Sequence, residues 1–287
     1  MFLCRTLNEH SATRTLSHYR CDVCGSVFVG ESIADRELLL AYSTLDARAY
    51  YEEIAEQNLR RLKTAVQYLA RLLRGRSGEI LDIGAGDGRF LALLRDSGFT
   101  HVSAHEIPCG ELFSLAGALT QIYRDFDYAT IPSSKFDVVT LMDVLEHVPR
   151  PADLVLACAR ILRPGGMIYL RTPVVTRLDS VMHAFQRMRG LQALGRAWQR
   201  GRTSCFHLQN YTPRALEALL VCRGFERVDV RVVNELSWPL GRCVRVYLVD
   251  KYSVPPIVGR GLTPLLYPFL CTRFFNANKA VLTARRA

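Results

Sequence analysis

The sequence predicts an α/β fold in which strands and helices alternate around an open sheet. A short apolar strand, Glu79–Ile83, leads into a glycine-rich turn and then into a helix that carries Leu91, Leu93 and Leu94. Because ligands of open α/β sheets bind beyond the carboxyl ends of the strands, this turn is the first candidate site. The other segments with a strand pattern span residues 100–106, 121–125, 136–141, 167–171, 225–233 and 242–249.

The turn carries glycine at every second position, at Gly84, Gly86 and Gly88. Glycine adopts backbone angles closed to other residues, and without a Cβ it lets a ligand approach the backbone. A dinucleotide-binding fingerprint reads G-x-G-x-x-G and would need glycine at the position of Arg89. The pattern therefore disfavours an NAD(P)-dependent oxidoreductase.

The second predicted strand ends at Glu106, about twenty residues past the turn, where α/β nucleotide binders hold the ribose hydroxyls. A carboxylate accepts two hydrogen bonds from a vicinal diol, which neutral side chains do less well. We therefore expect Glu106 to bind a ribose, with a solvent-exposed acid at a strand end as the alternative.

The turn and two longer segments together resemble a known family. Asp82 with the G-x-G-x-G turn resembles motif I of the class I S-adenosylmethionine-dependent methyltransferases. Residues 136–151 (FDVVTLMDVLEHVPRP) and 162–173 (LRPGGMIYLRTP) resemble the ubiquinone-biosynthesis O-methyltransferase group, and the resemblance covers residues 47–233. It implies a Rossmann-like seven-stranded methyltransferase sheet with helices on both faces, and S-adenosylmethionine as the methyl donor.

The resemblance also assigns the contacts to S-adenosylmethionine. Asp82 and the three glycines would hold the methionine moiety, and Glu106 the ribose. Asp125 with Phe126 would frame the adenine, although Asp127 fits the same place. The expected cofactor-binding residues are Asp82, Gly84, Ala85, Gly86, Gly88, Glu106, Asp125, Phe126 and Met142.

Methyl transfer to a hydroxyl or an amine needs a base with a pKa near neutrality, and histidine suits that role. His147 follows the fourth strand, and His207 precedes a Tyr-Thr-Pro helix start, where related enzymes place a histidine near the substrate. Either can instead be a structural hydrogen-bonding residue. The residues expected to face the acceptor are Asp143, Glu146, His147 and His207.

A divalent cation is the second interpretation of the same residues. Asp143, Glu146 and His147 stand at i, i+3 and i+4, so on one helical turn they would share a face. Two carboxylates and an imidazole suit a cation that lowers the pKa of a hydroxyl. The small-RNA 2′-O-methyltransferases hold a metal on a similar Glu-x-x-Glu-His with a distant histidine, matched here by His207. Many relatives with Asp-x-x-Glu-His are thought to work without metal.

The N-terminal residues contain a metal-binding pattern. Cys21 and Cys24 form a knuckle that can supply two tetrahedral zinc ligands. Many methyltransferases that this chain resembles carry an N-terminal zinc ribbon with two such knuckles, but Cys4 has no cysteine three positions away. Zinc held by Cys21, Cys24 and Cys4 is therefore one expectation, and a degenerate ribbon with free thiols is the other.

These patterns divide the chain into a zinc-ribbon-like segment at 1–46, a methyltransferase domain at 47–250 and an apolar, basic tail at 251–287. Residues 178–204 form a lid-like insertion with one amphipathic helix over 178–200, which either packs on the domain or faces a membrane. The tail is too short and too broken to span a bilayer. It docks on the domain or on a second subunit, or it lies in a membrane interface.

The composition narrows the partners and the compartment. A net charge of +10 favours anionic partners, but no long run of basic residues indicates a nucleic-acid tail. Nine scattered cysteines and the absence of a secretory signal at the start predict reduced thiols in a cytoplasmic protein. Peripheral contact with a membrane through the lid or the tail stays open.

The sequence therefore predicts an enzyme that transfers a methyl group to O or N of a small molecule, such as a sugar, a lipid-linked intermediate or a quinone-like acceptor. An RNA methyltransferase is the first alternative, and its affinity for RNA would fall steeply with added salt. A non-catalytic binding protein that keeps the fold is the second, and the intact glycines and acids speak against it.

Overall fold

The computed structural model describes residues 1–7, 15–37, 55–73, 78–107, 120–203, 207–235, 261 and 272–287, and all structural statements concern these residues. The chain divides into two compact units. The larger-sheet unit comprises residues 33–171, 218–229 and 282–287, and the smaller-sheet unit comprises residues 1–32, 172–217 and 230–281.

The strands of the described residues form two sheets. In chain order they are β1 (Phe2–Leu7), β2 (Thr15–Arg20), β3 (Val27–Val29), β4 (Ile80–Ile83), β5 (Val102–His105), β6 (Ile122–Tyr123), β7 (Phe136–Met142), β8 (Leu162–Pro173), β9 (Gln209–Asn210), β10 (Phe225–Val233) and β11 (Lys279–Arg286). The seven-stranded sheet has the order β10-β11-β8-β7-β4-β5-β6, and its strands from β8 to β6 pair in parallel. The predicted Rossmann-like α/β sheet of seven strands is confirmed.

The helices of the described residues alternate with these strands. They are α1 (Ala55–Leu72), α2 (Arg89–Asp96), α3 (Pro151–Ile161), α4 (Arg177–Phe185), α5 (Gln192–Thr203), α6 (Pro213–Val221) and α7 (Arg273–Asn276), with a 3₁₀ helix at Leu145–His147. Proline opens α3 and α6, where its missing N–H costs no helical hydrogen bond. None of the described helices is both long and apolar enough to cross a membrane.

The core lies around the central strands of the larger sheet. Every residue of β4 and β5 is buried, although successive side chains of a strand point to opposite faces. Both faces are therefore covered, as a parallel α/β sheet requires. The buried apolar side chains of the flanking helices are Phe90, Leu91 and Leu94 of α2, and Leu154, Val155, Cys158 and Ile161 of α3.

The strand β11 is a part of the sheet that the sequence analysis missed, because its residues were assigned to the tail at 251–287. It lies between β8 and β10. Ala280, Leu282 and Ala284 are buried, whereas the residues between them are half-buried. This alternation with period two is a strand signal, but the small alanines make it weak. The predicted strand at 242–249 and the tail residues 262–271 lie outside the described residues.

The insertion after β8 contains two helices, so the prediction of one helix over residues 178–200 is wrong. Gly190, between α4 and α5, has φ of 84°, which interrupts a right-handed helix. At Gly195 a Cβ would come 2.5 Å from the carbonyl oxygen of Met182, so α5 approaches α4 closely at this glycine. Trp198 of α5 donates its indole N–H to the buried carboxylate of Asp179 at 2.7 Å, which joins the two helices.

The N-terminal residues form strands rather than only a small knuckle. β1, β2 and β3 pair antiparallel in succession, and β3 pairs antiparallel with β9. Cys21 and Cys24 lie in the turn between β2 and β3. The fourth strand of this sheet is thus supplied by residues 209–210, far along the chain.

Candidate cofactor site and acceptor residues

The turn after β4 has the backbone conformation that its glycines allow. The φ angles are 70° at Gly84, 54° at Gly86 and 80° at Gly88, all in the left-handed region that favours glycine. A Cβ on Gly84 would lie 2.5 Å from Cγ2 of Val144. The turn therefore packs directly against the segment that follows β7.

Glu106 lies beside the same turn. Its Oε2 accepts the N–H of Gly86 at 2.8 Å, and its Oε1 accepts the N–H of Ile107 at 2.9 Å. Burial raises the pKa of this carboxyl, while the two N–H donors and the charge of Arg124 act in the opposite direction. A carboxylate offers about four lone-pair sites, so each oxygen can accept one further hydrogen bond, as a ribose diol requires.

Asp82, the acid of the predicted motif, is buried beneath the turn. Its Oδ1 accepts the hydroxyl hydrogen of Thr140 at 2.6 Å, because the register of the sheet places β7 beside β4 at this point. Burial raises the pKa of Asp82 to about 7; the Thr140 hydrogen bond opposes this rise and the charge of Glu106 adds to it. Asp82 therefore gains or loses its charge near neutral pH.

His105 joins the turn to the loop that follows β6. Its carbonyl oxygen accepts the N–H groups of Gly84 at 2.9 Å and Ala85 at 3.2 Å. Its Nε2 lies 3.0 Å from the carbonyl oxygen and 3.1 Å from Oδ1 of Asp125. Burial lowers the pKa of the imidazole, and the neighbouring Asp125 opposes this shift.

Asp125, expected at the adenine, is engaged by its own loop. Oδ1 also accepts the N–H of Tyr128 at 2.9 Å, and Oδ2 accepts both the N–H and the hydroxyl of Thr130. Burial would raise the pKa of Asp125, but the hydrogen bonds from Thr130 and His105 outweigh it and lower the pKa. Phe126 is half-buried, and Asp127 is exposed.

The end of β7 carries a strained acid. Met142 ends the strand half-buried, and Asp143 after it has φ of 59°, which is unusual for a residue other than glycine. The Asp143 carboxylate pairs with the guanidinium of the buried Arg171, and the Asp143 N–H donates to the Arg171 carbonyl at 2.9 Å. Two contacts with one residue of β8 therefore hold the left-handed conformation.

The expectation that Asp143, Glu146 and His147 share one helical face is wrong. The 3₁₀ helix begins at Leu145, so Asp143 lies outside it in a left-handed conformation. Glu146 is fully buried, and His147 is half-buried. A cation bound to Asp143 would compete with the Arg171 guanidinium, and a divalent cation at these residues stays a prediction.

His207 belongs to the smaller-sheet unit and lies two residues before β9. Its place near the acceptor stays a prediction. Thr212 caps α6, since its hydroxyl accepts the N–H of Ala215 at 3.3 Å. Thr212 also donates its hydroxyl to the carbonyl of Cys24 at 2.9 Å and its N–H to Ser26 at 3.0 Å. The cysteine knuckle therefore holds the start of α6.

Cys21 and Cys24 are free and half-buried. The N–H groups of Cys24 and Val23, which donate to the Cys21 sulfur, lower the pKa of the Cys21 thiol. This favours the thiolate, which is the form that binds metal. The pair supplies two of the four ligands of a structural zinc site, and the side chain of Cys4 lies outside the described residues.

Sequence reasoning missed three residues of this region: Thr140, His105 and Arg171. Each is a buried polar side chain in a strand of the larger sheet. Such a residue near the carboxyl end of a strand is the sequence signal that could have pointed to it, because buried polar groups need a partner.

A parallel sheet with a positive-φ glycine turn, and with a buried acid at the end of the neighbouring strand, defines the class of nucleoside-binding α/β domains. A family model described as "Methyltransferase domain" matches residues 52–230, and the chain belongs to that family. The predicted membership of a methyltransferase family is therefore confirmed.

One similar protein is the ubiquinone biosynthesis O-methyltransferase of Paraburkholderia phytofirmans. It is 33% identical over 141 residues, which cover 46% of this chain and 59% of that protein. The match thus spans less than two thirds of the length of this relative.

Two solved structures show the fold. An S-adenosylmethionine-dependent methyltransferase from Archaeoglobus fulgidus has a TM-score of 0.56 at 19% identity, covering 84% of this chain and all of that chain. The [4+2]-cyclase SpnF has a TM-score of 0.51 at 15% identity, covering 78% of this chain and 81% of that chain. Since a cyclase shares the fold, the fold alone does not decide the reaction.

Proposed function

We propose that the protein is an enzyme that transfers the methyl group of S-adenosylmethionine to an oxygen or nitrogen atom of a small molecule. The observation that carries this proposal is the hydrogen bond of 2.8 Å between the Gly86 N–H and Glu106. It sets an acid suited to a ribose diol against a turn whose three glycines have no Cβ. A binding scaffold has no use for this acid, because burial raises its pKa and so makes its ionised form costly.

The residues around the turn fit the parts of S-adenosylmethionine, whose sulfonium supplies an already activated methyl group. Each Glu106 oxygen has room for one ribose hydroxyl beside its backbone donor. Gly86 has no Cβ that would keep the methionine moiety from its backbone, and Asp82 is buried next to the turn. In well-oriented model reactions, alignment of this kind lowers the free-energy barrier by about 7–11 kcal/mol.

His147 is the base that we propose for the acceptor. Val144 lies against Gly84, and His147 follows it three residues later on the 3₁₀ helix. The imidazole is half-buried, so a small molecule can reach it. In its neutral form one ring nitrogen accepts the proton of a hydroxyl or an amine. His207, assigned by family resemblance, is the second candidate for this step.

A quinone-like acceptor is the first small-molecule class to test. The support is the resemblance of residues 136–173 to the ubiquinone-biosynthesis group and the name of the relative from Paraburkholderia. Sugar and lipid-linked acceptors are the other two classes. We do not route the reaction through a divalent cation, because Arg171 already pairs with Asp143.

Zinc at the N-terminal knuckle is a separate proposal. We infer that Cys21 and Cys24 supply two thiolate ligands, which the lowered pKa of Cys21 supports. Its role would be structural, since Thr212 at the start of α6 donates to the Cys24 carbonyl.

The test of the proposed reaction uses isotope-labelled S-adenosylmethionine with quinols, sugars and lipid-linked sugars, and mass spectrometry of the products. We expect a labelled methylated quinol from the wild type. His147→Asn should lower the rate about 100-fold or more, as loss of a general base does, with unchanged cofactor affinity. The matched control is His101→Asn, because His101 is an exposed histidine of the same unit.

The outcomes of these experiments distinguish between the hypotheses. A wild type that fails to bind S-adenosylmethionine in a calorimetric titration removes the enzyme proposal. Methylation of RNA that is lost at higher salt would transfer the proposal to the RNA methyltransferase class. Full activity of His147→Asn leaves the reaction in place and assigns the base to another residue.

A further inference from the structure

Arg171 is a buried cation near the carboxyl end of β8. It follows the buried residues Ile168, Tyr169 and Leu170, and only 3% of Arg171 is exposed. A cation in such surroundings is costly unless it is paired, so an arginine at this position needs an anionic partner. The carboxylate of Asp143 is that partner. The pair therefore joins β8 to the residue that follows β7.

The main chain of Asp143 is bound to the same residue. Met142, the last residue of β7, lies opposite Arg171 in the parallel ladder, and the Asp143 N–H donates to the Arg171 carbonyl oxygen at 2.9 Å. Asp143 has φ of 59°, and a residue other than glycine keeps this conformation only where its surroundings impose it. Arg171 thus holds both the side chain and the main chain of a strained residue.

The chain changes direction at Asp143. The extended strand ends before it, and the 3₁₀ helix at Leu145–His147 follows after Val144. The Val144 carbonyl oxygen accepts the His147 N–H at 2.9 Å. Cγ2 of Val144 lies only 2.5 Å from the place that a Cβ on Gly84 would take. The conformation of Asp143 therefore determines where His147 stands relative to the glycine turn.

We propose that Arg171 and Asp143 are positioning residues: their pairing holds His147 at its distance from the cofactor turn, and the Asp143 carboxylate acts on Arg171 rather than on the acceptor or on a cation. The inference rests on the proposed function, in which His147 is the base. It departs from the sequence-based expectation that Asp143 faces the acceptor.

Glycine separates the conformation of residue 143 from its carboxylate. Glycine adopts a φ near 59° readily, whereas alanine is strained there. Asp143→Gly alone would leave the buried guanidinium of Arg171 without its acid, which is destabilising in itself. The informative variants are therefore two double variants, in which Arg171→Met is combined with Asp143→Gly or with Asp143→Ala. Both lack the ion pair and the carboxylate, and they differ only in the backbone preference of residue 143.

The experiment measures kcat of the full chain with labelled S-adenosylmethionine and a soluble quinol. Calorimetric titration with S-adenosylhomocysteine gives the concentration of folded sites, so that each rate is expressed per binding site. Arg171→Met should lower kcat about 100-fold, because a displacement of about 1 Å can cost that factor. The double variant with glycine should be at least about tenfold faster than the one with alanine, as recovery of the alignment predicts. The cofactor affinity should change less than kcat.

Arg163→Met is the matched control. The Arg163 guanidinium donates to both carboxylate oxygens of Asp137 at 2.8 Å. Asp137 is the second residue of β7 and Arg163 the second residue of β8, so this ion pair joins the same two strands at their other ends. Its loss should leave kcat unchanged, because neither residue belongs to the proposed site.

Crystal structures of the two double variants with S-adenosylhomocysteine make the same comparison without an acceptor. The Val144 side chain should stay against Gly84 in the variant with glycine and move away from it in the variant with alanine. An unmoved Val144 in the variant with alanine would overturn the inference, whether or not the quinol is methylated.

Two kinetic results would also overturn the inference while the wild type stays active. Equal loss of activity in both double variants would mean that the carboxylate acts on the acceptor or on a cation. Full activity in both would mean that the conformation of residue 143 does not affect His147. A wild type that binds no S-adenosylmethionine removes the proposed function, and this inference with it.

Discussion

Gly84→Ala should lower both the stability of the protein and its affinity for S-adenosylmethionine. An alanine at φ of 70° costs about 1–2 kcal/mol, because the Cβ crowds the following carbonyl in the left-handed region. The new Cβ would also lie 2.5 Å from Cγ2 and 3.1 Å from Cγ1 of Val144, and overpacking of this kind costs about 1–3 kcal/mol. We therefore expect a loss of about 2–5 kcal/mol in the free energy of unfolding.

Gly165→Ala is the matched control for the backbone contribution. Gly165 has φ of 74° and no atom within 4 Å of an added Cβ, so its substitution should cost only the conformational part, about 1–2 kcal/mol. Urea unfolding followed by far-ultraviolet circular dichroism measures both losses. Calorimetric titration of the folded variants with S-adenosylmethionine measures the effect on the site.

A second substitution tests the contact itself. Val144→Ala removes both Cγ atoms and leaves Cβ, which would be 3.4 Å from the new methyl group, at ordinary contact distance. In the double variant with Gly84→Ala, about 1–3 kcal/mol of the loss should therefore be recovered. If Gly84→Ala costs no more than Gly165→Ala, or if Val144→Ala restores nothing, the packing of the turn against Val144 is not the cause.

Three further predictions concern the acids and the thiols. Glu106→Gln should lower the affinity for S-adenosylmethionine about tenfold or more in a calorimetric titration, because an amide nitrogen cannot accept from Gly86 or from a ribose hydroxyl; unchanged affinity contradicts the ribose role. For Asp82, the folded-state pKa of about 7 lies above the ordinary value of 3.8, so its contribution to stability is complete below pH 3.8 and is lost as the pH rises to about 7. The difference in unfolding free energy between the wild type and Asp82→Asn, in which other groups cancel, should shift by up to about 4 kcal/mol in favour of the variant over this range; a constant difference contradicts the raised pKa. Replacing Cys21 and Cys24 by serine should abolish bound zinc, measured by elemental analysis after growth with zinc, whereas Cys222→Ser, an exposed cysteine, should keep it; a zinc-free wild type refutes the site.

The central part of the sheet could be predicted from the sequence because its strands are buried on both faces. β4 and most of β7 are short, largely apolar runs. β4 begins shortly after Gly78 and β7 ends before Asp143, and this short length with these boundaries indicates buried strands. The edges could not be predicted in the same way. β11 alternates buried Ala280, Leu282 and Ala284 with half-buried residues, and the sequence analysis assigned this weak pattern to a tail.

In the candidate site, too, some features could be predicted from the sequence and others could not. The glycine turn and Glu106 follow local rules of backbone conformation and strand-end position, so their proximity could be expected from spacing. The engagement of Asp125 by His105 could not, because the two residues come from neighbouring strands and their contact depends on the register of β5 with β6. The spacing of Asp143, Glu146 and His147 at i, i+3 and i+4 also led to a wrong prediction, because Asp143 lies outside the 3₁₀ helix.

The left-handed conformation of Asp143 explains why no helical turn begins at this residue. This conformation also affects the position of the residues that follow it. A left-handed residue other than glycine costs about 1–3 kcal/mol and persists only where its surroundings impose it. Here Arg171 holds the conformation of Asp143 by two contacts. Its guanidinium pairs with the Asp143 carboxylate, and its carbonyl oxygen accepts the Asp143 N–H. Without this pairing, the right-handed conformation favoured by Asp143 would extend the 3₁₀ helix toward Met142 and move Val144 away from Gly84. The pairing of Asp143 with the buried Arg171 of β8 therefore sets the distance between the cofactor turn and His147.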